Sequence, residues 1–398
     1  MLQRTRTSLA LLLVAALLVA LLAACSDKGE GNEQSATEEN KEPYKIGAVL
    51  SETGTYAGLG EPERNTLEME VALINDEGGV DGHPIEIVYA DDATDPDTAV
   101  AETTRLIDKE GVLAIIGATG TGSTMAMRQE ILRAQIPQVS PAGGTVITAD
   151  FNEWVFQTPW SNALVIPYLL EYVKAQGITK VGLISESGGF GKDGAGVIKE
   201  QVAQAGMSVV SDQSFNVGDS DMTAQLTKIK SEGAQAVLMV TAGKEASIVA
   251  KNMADLAMEI PLFGTHGNAR REFIEGAGAS ADGFRFPAGK ILLPEAYGEG
   301  SEPYDVATDF INRYTGEYGK APDTFAGHAY DALHITVNAM KTLDEGFTPT
   351  DLRDAIEKTN GFVGIGGTFT YSPTDHNGMS QDDLIMYEVK DGGWVLAE

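Results

Sequence analysis

Short, largely apolar runs alternate along this chain with longer segments of helical periodicity, and that alternation narrows the possible folds most. Lys45 to Leu50, Ile85 to Tyr89, Leu113 to Ile116 and Gln138-Val139 have the size of buried strands. Helical patterns at about Glu61 to Asp76 and Asp97 to Lys109 separate the first of them. Strands covered by helices on both faces read as continuous apolar runs rather than alternating ones. The pattern therefore predicts βαβ units and a parallel sheet. Asn75-Asp76-Glu77-Gly78-Gly79 stops the first helix, and Asp95-Pro96 starts the next with a capping carboxylate and a first-turn proline.

After Trp154 to Thr158 the alternation begins again. Strands are expected at Lys180 to Ile184, Ser208 to Ser211, Ala236 to Thr241 and Leu262-Phe263, between helices near Asn162 to Ala175, Gly194 to Ala205, Met222 to Ser231 and Lys244 to Ala257. Two such runs make two similar lobes. The last third offers helical stretches at Tyr304 to Tyr318, Phe325 to Leu343 and Asp351 to Lys358, with strands only at Thr368 to Thr370 and Leu384 to Val389. Those strands are too few for a third domain, so this part is expected to complete the first two.

The first residues are of another kind. Arg4 and Arg6 precede a Leu/Ala/Val run from Leu9 to Leu22, followed by Ala23-Ala24-Cys25. A basic start, an apolar core too short to span a bilayer comfortably, and small residues before a cut describe a secretory signal, residues 1–24. The motif resembles a bacterial lipobox, which implies that Cys25, the chain's one cysteine, becomes the lipid-bearing N-terminus. Residues 25–43 carry no aliphatic run and read as a tether, spanning on the order of 60 Å when fully extended.

The formal charge is −30. Removing the signal takes away two arginines and no acid, leaving 26 basic and 58 acidic side chains, a net of −32. Such a surface repels phosphate backbones, so nucleic acid is excluded as a partner.

In doubly wound sheets, ligands sit beyond the carboxyl ends of the strands. Six loops there are rich in Gly, Ser and Thr: residues 51–60, 117–124, 140–145, 185–192, 241–244 and 265–268. The fullest is LAIIGATGTGST, Leu113 to Thr124, a strand, a hydroxyl-rich loop and a helix start that together favour a small anion. Catalytic signatures are missing. There is no Gly-x-Ser-x-Gly elbow, and Gly188-Gly189-Phe190-Gly191-Lys192 lacks the spacing and hydroxyl of a phosphate loop, with Asp193 after the lysine. GATGTG follows the third strand and does not fit a dinucleotide fingerprint. His328, Asp331 and His334 stand three apart on a helix, where the third drifts around the axis, so no metal site is assigned. Asp91, Asp92 and Asp95 read as a solvated helix start rather than a calcium site, and His83 and His376 as turn residues. No enzyme, metal or cofactor is expected.

SETGTYAGLG, INDEGGVDGHPIEIVYADDATDP, IIGATGTGST, VSPAGG and SGGFGKDG, in this order and spacing, resemble the leucine/isoleucine/valine-binding branch of type I solute-binding proteins of ABC transporters. The resemblance implies the type I periplasmic binding protein fold: α/β, two Rossmann-like lobes with parallel sheets, joined by three crossover segments. It divides the chain into an N-terminal lobe of residues 44–161 plus 290–375 and a C-terminal lobe of 162–289 plus 376–398. It implies a monomeric protein held to the cell membrane outside the cytoplasm through a lipid on Cys25. Such a protein closes on a small carboxylate ligand and delivers it to a membrane permease. A ligand-sensing module signalling through a membrane receptor is the alternative use of the fold.

Carried over by position, the resemblance implies that Tyr56 and Leu59 stand at the cleft mouth. Gly120, Thr121 and Gly122 grip the ligand carboxylate. Ala142, Gly143 and Gly144 form a second turn that offers carbonyls and N–H groups, and Phe190, Ala242 and His266 close over the ligand from the other lobe. His266 stands where relatives that bind branched-chain amino acids have a glutamate for the ligand's ammonium. An ammonium buried without an anion costs several kcal/mol, so an α-amino acid is disfavoured. Family aromatics near Ala242 and Leu59 are gone, and the paired cysteines of some members correspond to Thr94 and Gly120. GTHGNARREFIEGAG and FAGHAYDAL resemble the subgroup associated with aromatic acids, for which Trp160 offers a possible ring wall or hinge packing.

Overall fold

A computed structural model describes residues 41–398; the signal segment, Cys25 and the tether as far as residue 40 lie outside the described residues. The first half of the described chain runs β1 (Tyr44–Leu50), α1 (Ala57–Asp76), β2 (Ile85–Asp91), α2 (Pro96–Arg105), β3 (Ala114–Gly117), α3 (Thr121–Ala134), β4 (Gln138–Ser140), α4 (Val146–Ala149) and β5 (Val155–Gln157). There follow α5 (Asn162–Ala175), β6 (Lys180–Glu186), α6 (Gly189–Gln201), β7 (Ser208–Phe215), α7 (Thr223–Ser231), β8 (Ala236–Val240), α8 (Glu245–Asp255), β9 (Leu262–Phe263), α9 (Arg271–Ala277) and β10 (Arg285–Gly289). The last part is α10 (Glu302–Tyr318), α11 (Thr324–Met340), α12 (Pro349–Ile356), β11 (Asn360–Val363), β12 (Thr368–Thr370), β13 (Leu384–Lys390) and β14 (Gly393–Leu396).

The strands form two principal sheets. The first has the order β2-β1-β3-β4-β5 and is parallel throughout. The second repeats that order as β7-β6-β8-β9-β10, then adds β13 and β14 antiparallel at its edge. Two parallel lobes are what the alternation predicted, and their equivalent strand orders place a switch point beside β1 and β3 in one and β6 and β8 in the other. After β10 the chain returns to the first lobe, where Leu333, Val337 and Phe369 join Ile46 and Ile116 in one core. It then re-enters the second sheet at β13, so the lobes are joined by three crossings.

Consecutive strand residues feed opposite layers. In β6, Leu183 packs with Ile166, Leu170 and Ile198, whereas Ile184 packs with Leu226, Met239 and Phe273. In the first sheet Ile116 faces α11, and Ile115 faces Met127 and Ile131 of α3. Helices thus cover both faces of each sheet, and each such Leu or Ile contributes about 1.5–3 kcal/mol by leaving water.

Several elements differ from expectation. α6 begins at Gly189, five residues early, and the end of the expected helix at Asp97 to Lys109 widens into a π turn at Leu106–Glu110 that ends on left-handed Gly111. β7 continues to Phe215, and β5, β10, β11 and β14 carried no clear strand signal. β10 reads RFPAG, which looks like a turn; Pro287 is tolerated because the pairing to β9 is confined to Arg285↔Phe263.

Candidate functional site

The six Gly/Ser/Thr loops converge. Between the carboxyl ends of the two sheets lies a cavity with about 360 Å³ of empty space, lined from the loop after β1 by Tyr56 and Leu59, after β3 by Thr119, Gly120 and Thr121, and after β4 by Pro141, Ala142 and Gly143. Phe190, Ala242, His266 and Gly267 line it from the second lobe, and Pro159, Phe325 and His328 complete it. It is narrow, because only about 20 Å³ can hold the centre of a water molecule. Gly122 and Gly144, expected in the site, are not among the lining residues.

The first-lobe loops are tied to one another by side chains. The Thr94 hydroxyl donates to the Thr53 carbonyl and accepts from Tyr56 N–H, each at 3.0 Å. The Thr119 hydroxyl donates to Glu63 at 2.5 Å and accepts from Ser51 N–H at 3.0 Å. Gly120 is the N-cap of α3, with no side-chain cap, so the first N–H groups of the helix are left without an intrahelical partner. A Cβ on Gly120 would lie 3.0 Å from an edge of the Tyr56 ring. Thr121 follows, buried, its Oγ1 without a hydrogen-bond partner.

The turn after β4 is more self-contained than expected. The Ala142 and Gly144 carbonyls accept from Gln157 Nε2 at 2.7 and 3.0 Å, and the Gly143 carbonyl accepts from Asn162 N–H at 3.0 Å. The carbonyls therefore hold the turn's shape. Gly144 is needed because a Cβ there would meet the Thr121 side chain at 2.3 Å.

Contacts at several points join the lobes. The Tyr56 hydroxyl donates to Glu186, whose other oxygen accepts from the Thr241 hydroxyl at 2.5 Å. The Asp193 carboxylate accepts from Thr145 and Val146 N–H at 2.8 and 3.1 Å and from Asn162 Nδ2 at 2.8 Å. Gly189 packs on Gly122 so closely that a Cβ on Gly189 would lie 2.7 Å from the Gly122 nitrogen. That contact is the structural place of Gly122.

His266 is held by its loop, where Asn268 Nδ2 donates to the Thr241 carbonyl at 2.9 Å. Its ring crosses the cleft to Gly143, where a Cβ would come 2.2 Å from Nε2, and meets Phe190 edge-on at 5.4 Å. Neither ring nitrogen has a partner. Burial pushes its pKa down to about 3, so the ring is neutral. His328, like Phe325 and Pro159, lines the cavity although the sequence did not place it here. It is 3% exposed, with Nδ1 unpartnered, and its ring stands edge-on to Trp160 and Phe325. Burial, then His266, pushes its pKa to about 3 as well.

No Asp, Glu, Lys or Arg lines the cavity. Two acids stand one hydrogen bond behind the wall, Glu63 on Thr119 and Glu186 on Tyr56; both are buried and raised in pKa by burial, and both oxygens of Glu186 already accept protein donors. Trp160 is no wall of the cavity; it packs over Gly289, where a Cβ would meet the indole at 2.1 Å. The helical trio separates as expected: Asp331 accepts from Ile365 and Gly366 N–H, His334 pairs with Glu70, and only His328 faces the cleft. Among the described residues no group of three potential metal ligands occurs. Asp95 caps α2 through Thr98 N–H at 2.8 Å, and His376 stacks on Phe156.

Residues 43–393 match the family described as periplasmic binding protein. Leu/Ile/Val-binding protein homolog 3 of Brucella melitensis is 28% identical over 345 residues, 86% of this chain and 91% of its own. A leucine-, isoleucine-, valine-, threonine-, and alanine-binding protein of Pseudomonas aeruginosa is 23% identical over 86% of this chain and 89% of its own. An extracellular ligand-binding receptor from Rhodopseudomonas palustris superposes with a TM-score of 0.84 at 24% identity, over 90% of this chain and all of that one. A branched-chain amino acid transporter substrate binding protein from Streptococcus pneumoniae, in complex with isoleucine, gives 0.80 at 27% identity, over 89% and 99%.

Proposed function

This chain belongs to the periplasmic binding protein family, and from that premise we propose that it is the extracytoplasmic solute-binding protein of an ABC importer. It closes its two lobes on a small carboxylate and presents the closed form to a membrane permease. The observation that carries this reading is the cavity itself: both lobes line it, and three buried side chains, Thr121, His266 and His328, bring unpartnered polar atoms to an otherwise apolar wall. A site of that kind orients a ligand by few hydrogen bonds and takes most of its energy from burial. Thr121 and the N-terminus of α3, which no side chain caps, suit the carboxylate.

The ligand is a hydrophobic carboxylic acid, aromatic or otherwise, rather than an α-amino acid. An ammonium would face neutral His266, and Glu186 is committed to Tyr56 and Thr241. Branched-chain amino acids are the second reading, supported by the names of the Brucella and Pseudomonas relatives. Lipidation at Cys25 and a monomeric, membrane-tethered state complete the proposal.

A thermal-shift panel of branched-chain and aromatic amino acids against their amine-free counterparts tests it, since a ligand that binds only the folded state raises the melting temperature. A stabilising amine-free acid supports the reading. Stabilisation by amino acids alone replaces it with the second.

A further inference from the structure

The carboxylate accounts for Thr121 Oγ1 and the start of α3. Two further side chains bring unpartnered polar atoms to the cavity, the imidazoles of His266, from the loop after β9, and of His328, from α11, both lining it and both at least 95% buried. Their rings are fixed by aromatic neighbours, His266 by Phe190 at 5.4 Å, His328 by Trp160 at 5.9 Å and Phe325 at 6.1 Å. Buried polar nitrogens left without partners are costly, so a ligand that satisfies them gains what the protein lacks.

The chemistry of the pair selects its partner. A neutral imidazole carries one N–H donor and one acceptor nitrogen. Two of them can together donate to and accept from a hydroxyl, or donate to a carbonyl oxygen. An ammonium has donors only and needs an anion, and no lining residue supplies one. A purely hydrocarbon ligand leaves the nitrogens unpaired.

Resting on the solute-binding reading above, we propose that the ligand is a carboxylic acid bearing a second, uncharged oxygen, a hydroxyl or a carbonyl. His328, with His266, is the specificity-determining residue that reads that oxygen.

The test is calorimetry with two matched series, para-hydroxybenzoate against benzoate, and α-hydroxyisocaproate and α-ketoisocaproate against isocaproate and leucine. In at least one series the oxygenated acid is expected to bind at least tenfold more tightly than the acid lacking that oxygen. His328→Leu is expected to abolish the difference between the oxygenated and the unsubstituted acid. His328→Asn, which can keep a polar atom close to Nδ1, is expected to restore most of it, which a purely structural role for the ring would not do. Acids that bind equally well with and without the oxygen overturn this inference and leave the carboxylate reading standing. Failure of every acid in both series overturns both.

Discussion

The hydroxyl of Tyr56 on the first lobe donates a hydrogen bond to the carboxylate of Glu186 on the second. Both groups are buried, Glu186 behind Ala242 and Tyr56 at the cavity wall. The bond exists only while the lobes are together, so it belongs to closure rather than to either lobe's own stability. Tyr56→Phe removes the donor and leaves Glu186 with an unmatched oxygen. The expected loss is about 1–3 kcal/mol of closed-state stability, seen as weaker ligand binding at unchanged folding of the lobes. Unchanged affinity by calorimetry, with the ring retained, would show that the bond does not couple the lobes.

Closure also has a steric condition. A Cβ on Gly189 would lie 2.7 Å from the Gly122 nitrogen and 2.8 Å from its Cα, and backbone on both sides cannot yield cheaply. Gly189 opens α6, where alanine is otherwise well accepted. Gly189→Ala is therefore expected to keep the circular dichroism of the wild type while weakening ligand binding at least tenfold. In small-angle scattering it should stay open at saturating ligand. A variant that closes and binds normally contradicts the contact.

Asp193 tests closure from the polar side. Its carboxylate accepts from Thr145 and Val146 N–H and from Asn162. Asp193→Ala breaks all three bonds without touching the cavity wall. It is expected to raise Kd about tenfold or more through the open–closed equilibrium, because the bonds from Thr145 and Val146 N–H cross between the lobes and bonds to a charged acceptor are worth about 1.5–3 kcal/mol each. Stopped-flow kinetics should show the change mostly in the dissociation rate.

The buried histidines set a pH dependence. Both have pKa values near 3 in the closed form, against 6.5 when free. Between those values the unfolded or opened chain binds the proton and the closed one does not. The stability they contribute is therefore complete above pH 6.5 and lost as pH falls, by up to about 1.4 kcal/mol per pH unit for each ring. Going from pH 7 to pH 5 is expected to cost roughly 2 kcal/mol per histidine, and His328→Asn should remove one such share. Denaturation curves at several pH values check this; a wild type and variant with parallel pH profiles contradict it.

Selectivity turns on the charge of one side chain. His266→Glu places a carboxylate against the cavity wall, and is expected to move preference from amine-free acids towards α-amino acids by at least tenfold. Micromolar binding of leucine or phenylalanine to the unmodified protein would contradict the argument from the missing acid.

Much of this was legible in the residues, for identifiable reasons. Continuous apolar runs such as Ala236–Val240 announce a strand covered on both faces, and the Gly/Ser/Thr loops that follow mark the carboxyl edge. Phe325 and His328 were not legible as site residues, because they lie on a helix buried nearly all round, where no loop composition betrays a facing cavity. Glu186 was one residue of the expected 185–192 loop, with nothing to mark its role. Its partner Tyr56 is 130 residues away, and only the meeting of the lobes pairs them. β10 was hidden by Pro287 and Gly289, the latter kept small by Trp160.

The most direct test of the cleft as a carboxylate site is calorimetric titration of the wild type and His266→Ala with the acid that gives the largest thermal shift. His266 lines the cavity with both ring nitrogens unpartnered, so its removal is expected to weaken binding by at least ~1 kcal/mol, about fivefold, at unchanged stoichiometry. Equal affinity for the two proteins would remove His266 from the site and with it the account of how this cleft chooses its ligand.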